Sequence, residues 1–201
     1  MRLGIYGGTF DPVHYGHLLL AEQCREQCEL DEVWFVPAGV PPHKQADGIT
    51  PAKDRINMLD FALAGIPEFS ISTIEVERDG PSYTVDTLQQ LVEADASREL
   101  FLLIGADSLA DFPTWRQPQR ILELATLVAV NRGDFDEAQL RSDVARLGPQ
   151  TADRLQIVEM PGIDISATDI RRRVHEGRSI RFFTARPVEH YIVERGLYRD
   201  A

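Results

Sequence analysis

Cysteine and long apolar runs are scarce in this sequence, and their scarcity argues against disulfide-built and membrane-spanning proteins. The two cysteines, Cys24 and Cys28, share one face of a predicted helix, which indicates packing thiols rather than a disulfide framework. We expect no zinc site, because no second Cys/His pair lies at ligand spacing. No segment approaches the roughly 18 apolar residues of a membrane helix, and the first residues lack the apolar core of a signal peptide. We therefore expect no membrane partner and a cytoplasmic location.

Positive charge is also in short supply. The 201 residues include 21 Lys and Arg against 32 Asp and Glu, which gives a formal net charge of -11. Nucleic acids are held by basic surfaces, so we expect no nucleic-acid partner. An anionic ligand would instead need a local cluster of cations. The length suits a single domain over residues 1–201.

Short apolar runs alternate with amphipathic stretches along the chain. The runs predict strands at 3–6, 32–36, 70–76, 99–104, 126–130 and 155–159. The amphipathic stretches predict helices that begin near 15 and lie at 51–65, 85–92, 117–124, 136–147, 166–176 and 187–195. This alternation indicates an α/β fold, an open, mostly parallel sheet with helices on both faces. Residues 100–104 are apolar throughout, as expected of a central strand.

The loop after the first predicted strand joins paired glycines to two histidines, since residues 7–17 read GGTFDPVHYGH. Open α/β sheets bind ligands at the carboxyl ends of their strands, and a glycine turn that feeds a helix start suits phosphate. His14 and His17 would lean the same way, with Gly16 leaving the approach clear. Both imidazoles could then donate hydrogen bonds to phosphoryl oxygens. Helix caps or metal ligands are the alternative interpretations of such a pair.

Further motifs follow at 41–44 (PPHK), 82–88 (SYTVDTL), 105–108 (GADS), Trp115 and 165–171 (ISATDIR). With the opening loop, they resemble the blocks of bacterial nicotinate-mononucleotide adenylyltransferases, in the nucleotidyltransferase superfamily with the HxGH motif. The blocks span nearly the whole chain in the family's order. The resemblance implies a Rossmann-like fold and transfer of AMP from ATP to nicotinate mononucleotide, giving deamido-NAD and pyrophosphate with Mg²⁺ in NAD biosynthesis. The attacking phosphate monoester has a second pKa of about 6, so it is largely ionised and needs no general base.

The resemblance also assigns residues to ATP. It implies that His14 and His17 bind the triphosphate, with His17 on the α-phosphate. Lys44, a mobile point charge after two stiffening prolines, suits the β- or γ-phosphate, and a surface lysine is the alternative. The spacing of Ser166 and Asp169 independently predicts a capped helix start. Asp107 would bind the ribose or help order the metal, with an N-cap as the alternative. The implied catalytic residues are His14, His17, Lys44 and Arg171, and the implied ATP-binding residues are Gly7, Gly8, Thr9, Phe10, His14, His17, Gly105, Asp107, Ser166, Thr168 and Arg171. Mg²⁺ would be held mainly by the ATP phosphates.

A second set of residues is assigned to nicotinate mononucleotide: Asp11, Lys44, Tyr83, Thr84, Trp115, Arg116 and Arg132. Trp115 would be a flat platform for the pyridine ring, and a core or lid anchor is the alternative. Backbone N–H groups around Thr84 and Arg116 would receive the nicotinate carboxylate. The family often has tyrosine at position 116, so the guanidinium either adds a charge for that carboxylate or faces water. Arg132 would contact the phosphate of the acceptor.

Three other functions stay open at this point. A sister adenylyltransferase that takes phosphopantetheine shares the opening motif, although the block at 82–88 and Trp115 favour the pyridine nucleotide. A non-catalytic sensor could bind ATP or NAD and signal by closing its loops. A fragment of a class I aminoacyl-tRNA synthetase shares the phosphate chemistry but would need a basic RNA surface. The sequence leaves the use of nicotinamide mononucleotide and the oligomeric state open.

Overall fold

The computed structural model describes residues 1–39, 48–131, 138, 141, 142, 145 and 152–199. Within them lies one six-stranded sheet in the order β3-β2-β1-β4-β5-β6. Every strand pair is parallel, which confirms the predicted α/β fold. The strands are β1 (Arg2–Gly8), β2 (Glu32–Pro37), β3 (Phe69–Ile71), β4 (Glu99–Gly105), β5 (Ala125–Asn131) and β6 (Leu155–Glu159).

Helices connect the strands at most of the predicted places. They are α1 (Tyr15–Gln27), α2 (Ala52–Leu63), α3 (Thr84–Ala94), α4 (Ala106–Asp111), α5 (Pro118–Leu124), α6 (Ala167–His175) and α7 (Arg186–Arg195). The helix predicted at 136–147 falls largely outside the described residues. None of the helices in the described part of the chain is long and apolar enough to cross a membrane.

The core has two layers, one on each face of the sheet. Strand β4 shows this division, because its successive side chains point to opposite faces. Phe101 and Leu103 pack with residues of α1, α2 and α7, whereas Leu100, Leu102 and Ile104 pack with residues of α3 and α5. The predicted helices on both faces are confirmed, and β4 is buried on both sides as its apolar run predicted.

The sheet order reverses between β1 and β4, which are neighbours in the sheet. In open α/β sheets such a switch point leaves a crevice at the carboxyl ends of the two strands. Here Gly7 and Gly8 end β1, and Gly105 ends β4. The topology therefore brings the opening loop beside the GADS motif.

Three elements differ from their predictions. The strand predicted at 70–76 ends at Ile71, because the chain then makes a helical turn in which the Glu77 N–H donates to the Thr73 carbonyl. The Thr73 hydroxyl also donates to the Glu77 carboxylate at 2.6 Å. Helix α4 and the 3-10 turn at Phe112–Thr114 were not predicted.

Candidate functional site

A cleft of about 1020 Å³ opens at the switch point between β1 and β4. Its walls come from the loop between β1 and α1 (the β1–α1 loop, residues 9–14), the end of β4, and the start of α6. Most of the residues predicted for ATP line this cleft, together with Asp11 and Trp115: Gly7, Thr9, Phe10, His14, His17, Gly105, Ser166, Thr168 and Arg171. Ser108, which sequence reasoning did not single out as a site residue, lines it too.

The two histidines of the opening motif stack on each other at the start of α1. Their ring centroids lie 3.7 Å apart at an interplanar angle of 23°. The backbone N–H of His14 donates to His17 Nδ1 at 3.2 Å. Since Nδ1 accepts this bond, a neutral His17 ring carries its proton on Nε2, which makes Nε2 the ring's donor. His17 is thus both a helix cap and a hydrogen-bond donor.

Position 16 lies tightly against the stacked pair. A Cβ there would lie 3.1 Å from both Cε1 and Nδ1 of His14, closer than carbon atoms normally pack. Gly16 thus leaves room for the His14 ring, and the expectation that it also clears the approach of a ligand stays a prediction. A Cβ on Gly7, in contrast, would meet nothing within 4 Å, so the backbone at the end of β1 is open to a ligand.

The buried side chain of Phe10 anchors the β1–α1 loop to the core. The φ of Phe10 is +50°, in the left-handed region. Its side chain is buried, and its ring lies 5.4 Å from Tyr6, 5.1 Å from His17 and 5.5 Å from Phe35, centroid to centroid. A non-glycine residue holds such a backbone conformation only where its surroundings enforce it. The buried ring supplies that enforcement and supports His17 directly.

The start of α6 forms the opposite wall. Ser166 is the N-cap, and its hydroxyl accepts a hydrogen bond from the Asp169 N–H at 3.1 Å, which confirms the predicted capped start. Arg171 Nη1 donates to the Asp11 carbonyl at 2.6 Å, and Nη2 donates to the Thr168 hydroxyl at 3.3 Å. A cation on α6 is thereby fixed against the β1–α1 loop. The positive ends of two helices, α1 and α6, meet in this cleft.

Asp11 lines the cleft, but its carboxylate is engaged inside the protein. Residue Asp11 is only 4% exposed. One carboxylate oxygen accepts from the Tyr198 hydroxyl at 2.6 Å, and the other accepts from the Thr50 N–H at 3.1 Å. Burial, together with the charge of Asp11, raises the pKa of Tyr198 above its usual value. The assignment of Asp11 to the acceptor stays a prediction.

The residues predicted for the acceptor's ring form a looser group. Trp115 is half-buried, lines the cleft and packs on Phe112 with 5.4 Å between ring centroids, so it is an anchor as well as a wall. Tyr83 is the N-cap of α3 and Thr84 its first residue. The Arg116 guanidinium lies 4.5 Å from the Tyr83 ring centroid and 3.8 Å from the Asp86 carboxylate. Tyr83, Thr84 and Arg116 are not among the described residues that line the cleft.

Lys44 and Arg132 lie outside the described residues. Asp107 sits in the first turn of α4, whose N-cap is Gly105. The N-cap alternative for Asp107 is therefore wrong, because the helix begins one residue before it.

Sequence reasoning missed two residues behind the cleft, Arg55 and Tyr198. Arg55 is 2% exposed and sits on the face of α2 that also buries Met58, Leu59 and Ala62. A charged residue at a core position of an amphipathic helix is a signal that a helical projection reveals. Tyr198 offers no such local signal, since its partner Asp11 is 187 residues away in sequence.

The comparisons with known proteins agree with this geometry. The cytidylyltransferase-like family model matches residues 5–173, and the chain belongs to that family of nucleotidyltransferases. A Thermomicrobium roseum protein named "Probable nicotinate-nucleotide adenylyltransferase" is 51% identical over 98% of this chain and 92% of its own length. A Geobacillus kaustophilus protein of the same name is 43% identical over 98% of this chain and 86% of its own length. Within the wider family, the chain is therefore a member of the nicotinate-nucleotide adenylyltransferase family.

The fold has relatives among solved structures as well. A Plasmodium falciparum nicotinic acid mononucleotide adenylyltransferase complexed with NaAD aligns with a TM-score of 0.80 at 18% sequence identity. The alignment covers 98% of this chain and 97% of that chain. At that identity the likeness shows the fold, and it confirms the Rossmann-like arrangement.

Proposed function

We propose that this chain transfers AMP from ATP to nicotinate mononucleotide, forming deamido-NAD and releasing pyrophosphate in NAD biosynthesis. The observation that carries the proposal is the stacked His14–His17 pair at the start of α1, which shares one cleft with Ser166 and Arg171 at the start of α6. That cleft concentrates hydrogen-bond donors and positive charge inside an acidic protein. The names of the relatives at 51% and 43% identity support the same reaction.

On the ATP side, His17 Nε2 would donate to the α-phosphoryl group as charge develops on it. A preorganised donor of this kind is worth about 3–4 kcal/mol in the barrier, whereas a helix dipole contributes about 0.3–1 kcal/mol. His14 and Arg171 would bind the remaining phosphates with Lys44, and Ser166 and Thr168 would add hydroxyl contacts. The backbone of Gly7, Gly8, Thr9 and Phe10 would lie along the nucleotide, with Gly105 and Asp107 near the ribose.

The chemical step needs no side chain that accepts a proton. The phosphate of nicotinate mononucleotide is already largely ionised at neutral pH. One of its oxygens bonds to the α-phosphorus while the bond from that phosphorus to the bridging oxygen of the β-phosphate breaks, and pyrophosphate leaves with the electron pair. The protein's contribution is to align the two polyanions and to stabilise the charge in transit.

Mg²⁺ is the cofactor that we propose for this reaction. In the described part of the chain, no three His, Cys, Asp or Glu side chains are grouped so that they could hold a metal ion. Mg²⁺ commonly binds substrate phosphates with only one or two carboxylates from the protein. The positively charged side chains of the cleft would hold those phosphates, and the phosphates would hold the ion. When bound, the ion would neutralise charge on the triphosphate, whose oxygens would be its main ligands.

The acceptor would lie toward Trp115. We assign the pyridine ring to the exposed face of that indole and the nicotinate carboxylate to the region of Tyr83, Thr84 and Arg116. Arg116 already faces Asp86 at 3.8 Å, so any attraction to the substrate carboxylate competes with this pair. Asp11, Lys44 and Arg132 complete the proposed acceptor set.

Steady-state kinetics with three acceptors test the proposal. Purified protein with ATP and Mg²⁺ is assayed for pyrophosphate release with nicotinate mononucleotide, nicotinamide mononucleotide or phosphopantetheine, and without acceptor as the control. We expect the highest kcat/KM with nicotinate mononucleotide. A preference for phosphopantetheine would overturn the acceptor and retain the reaction class. No pyrophosphate with any acceptor would leave a nucleotide sensor as the function.

A further inference from the structure

A hydrogen-bonded cluster behind the cleft ties the C-terminal segment to the β1–α1 loop. The Tyr198 hydroxyl donates to one carboxylate oxygen of Asp11 at 2.6 Å, and the Thr50 N–H donates to the other at 3.1 Å. Asp11 lies three positions before His14 in the opening motif. The orientation of this carboxylate therefore depends on a residue from the far end of the chain.

Arg55 extends the cluster to α2 and to the segment after β2. Its guanidinium donates to three backbone carbonyls, those of Thr50 at 2.9 Å, Thr9 at 2.8 Å and Ala38 at 2.8 Å. Thr9 follows β1, Ala38 follows β2 and Thr50 precedes α2. A charge that is 2% exposed is tolerated only when it is well hydrogen-bonded and balanced. The Asp11 charge provides the balance, since it opposes the lowering of the Arg55 pKa that burial causes.

The same loop and the start of α1 are also held by α6 and by the segment between α6 and α7. Arg171 donates to the Asp11 carbonyl at 2.6 Å. The Thr184 hydroxyl donates to the Val13 carbonyl at 2.7 Å, and the Tyr15 N–H donates to the Phe183 carbonyl at 3.1 Å. Asp11 joins the two sets of contacts, because its carboxylate accepts from Tyr198 and Thr50 and its carbonyl accepts from Arg171. Movement of its carboxylate would therefore be transmitted to Arg171.

We propose that Tyr198 is a positioning residue for adenylyl transfer. Its hydroxyl fixes the Asp11 carboxylate, and together with Arg55 it holds the β1–α1 loop so that the stacked histidines and Arg171 meet the reacting phosphates. This role rests on the function proposed above. Loss of the hydroxyl shifts groups that act on the transition state, and misplacement of reacting groups by about 1 Å can cost up to about 10² in rate.

The chain supplies a matched control for this role. The Tyr191 hydroxyl donates to the Asp54 carboxylate at 2.7 Å, a bond of the same type between α7 and α2. Both tyrosines thus join the C-terminal part of the chain to a buried aspartate. The Asp54 carboxylate has no bond to the β1–α1 loop among the contacts of the described residues. A purely structural role predicts similar consequences for the two tyrosines.

The experiment compares Tyr198→Phe with Tyr191→Phe in the full chain, by kcat, by KM for ATP and nicotinate mononucleotide, and by Tm. We expect Tyr198→Phe to lower kcat about 10-fold with KM for ATP changed less than about 3-fold, because transition-state positioning is lost rather than ground-state binding. Tyr191→Phe should keep kcat within about 2-fold. It should lower Tm by about as much as Tyr198→Phe does. Equal kcat values for the two variants would overturn the proposal, as would a kcat loss that matches the unfolded fraction.

Arg55→Lys is the second variant, since it keeps the charge but cannot reach three carbonyls. We expect Arg55→Lys to lower kcat as well. In the double variant Arg55→Lys/Tyr198→Phe, the fold-loss in kcat should be smaller than the product of the two single fold-losses, because both residues act through the same loop. Independent, multiplicative losses would contradict a shared role. Failure of the wild-type protein to release pyrophosphate with nicotinate mononucleotide would refute the proposed function instead, so the two failures are distinguishable.

Discussion

The two sides of the cleft are built differently. On the phosphate side, formed by the β1–α1 loop and the start of α6, the stacked histidines and Arg171 are fixed by hydrogen bonds to backbone and by a buried ring. On the proposed acceptor side, Trp115 packs on Phe112 and the core below it. Arg116, which does not line the cleft, lies over the Tyr83 ring and forms an exposed ion pair of 3.8 Å with Asp86, a type worth about 0–1 kcal/mol. Groups that stabilise transition-state charge must be preorganised, whereas an aromatic platform for a flat ring tolerates adjustment. The difference in how the two groups of side chains are held thus parallels the difference in their proposed tasks.

The largest expected effect comes from His17→Ala on the phosphate side. We expect kcat to fall by about 10²–10³, because the change removes a preorganised donor to the α-phosphoryl group. Steady-state pyrophosphate release measures kcat, and far-UV circular dichroism with a thermal melt confirms that the variant is folded. Near-normal turnover in a folded variant would show that His17 has no such role.

Arg171→Lys should have the next largest effect. A lysine keeps the charge but cannot contact the Asp11 carbonyl and a phosphate with the same planar fork. We expect kcat/KM for ATP to fall about 10-fold or more, in line with about 1.5–3 kcal/mol for a hydrogen bond to a charged group. Arg172→Lys is the matched control, because Arg172 pairs with Asp169 and is exposed. Equal losses of kcat/KM for ATP in the two variants would show that Arg171 has no special role in phosphate binding.

On the acceptor side, Trp115→Leu should raise KM for nicotinate mononucleotide about 3- to 10-fold and leave KM for ATP nearly unchanged. The expected size follows from about 0.5–1.5 kcal/mol for an aromatic ring pair. Trp34→Leu is the control, because Trp34 hydrogen-bonds to Glu32 away from the cleft. If KM for ATP rises as much as KM for nicotinate mononucleotide, Trp115 does not act on the acceptor alone, and the proposed division of the cleft into two sides is wrong.

The smallest effect is expected on stability, at Glu75 beneath α3. Burial raises the pKa of Glu75, and its hydrogen bond from Thr87 and the charge of Arg78 offset this only in part. With the native pKa above the unfolded one, the contribution of this carboxyl to stability is present below the unfolded pKa and is lost as the pH rises through the native pKa.

Glu75→Gln removes that pH dependence, because an amide does not titrate. We expect Tm to rise by about 2–4 °C at pH 8, the shift that about 1 kcal/mol gives in a domain of this size. The gain should shrink toward pH 4, where the wild-type carboxyl is increasingly protonated. Thermal melts at both pH values measure it. A gain that is as large at pH 4 as at pH 8 would show that ionisation of Glu75 is not its cause.

The parts of this molecule that sequence could predict are those set by neighbouring residues. Ser166 and Asp169 specify a capped helix start within one turn, and the apolar run of β4 indicates burial on both faces. The strand at 70–76 was predicted too long because its apolar residues continue, whereas a hydrogen bond between Glu77 and Thr73 turns the chain.

Contacts that depend on the whole fold were not predicted, because the residues around each partner do not identify the distant one. The bond from Tyr198 to Asp11 joins residues 187 positions apart, and that from Arg55 to Thr9 joins residues 46 apart. Sequence therefore predicted many of the residues that line the cleft and missed Arg55 and Tyr198, which lie behind it.

The fate of the α-phosphorus of ATP shows directly whether this protein transfers AMP. The protein is incubated with ATP labelled at the α-phosphate, Mg²⁺ and nicotinate mononucleotide, and the products are separated. Transfer of AMP predicts that the label appears in the dinucleotide, with one unlabelled pyrophosphate released for each dinucleotide formed. Label recovered in ADP, with orthophosphate or a phosphorylated acceptor as the second product, would contradict attack at the α-phosphorus and with it the transfer of AMP.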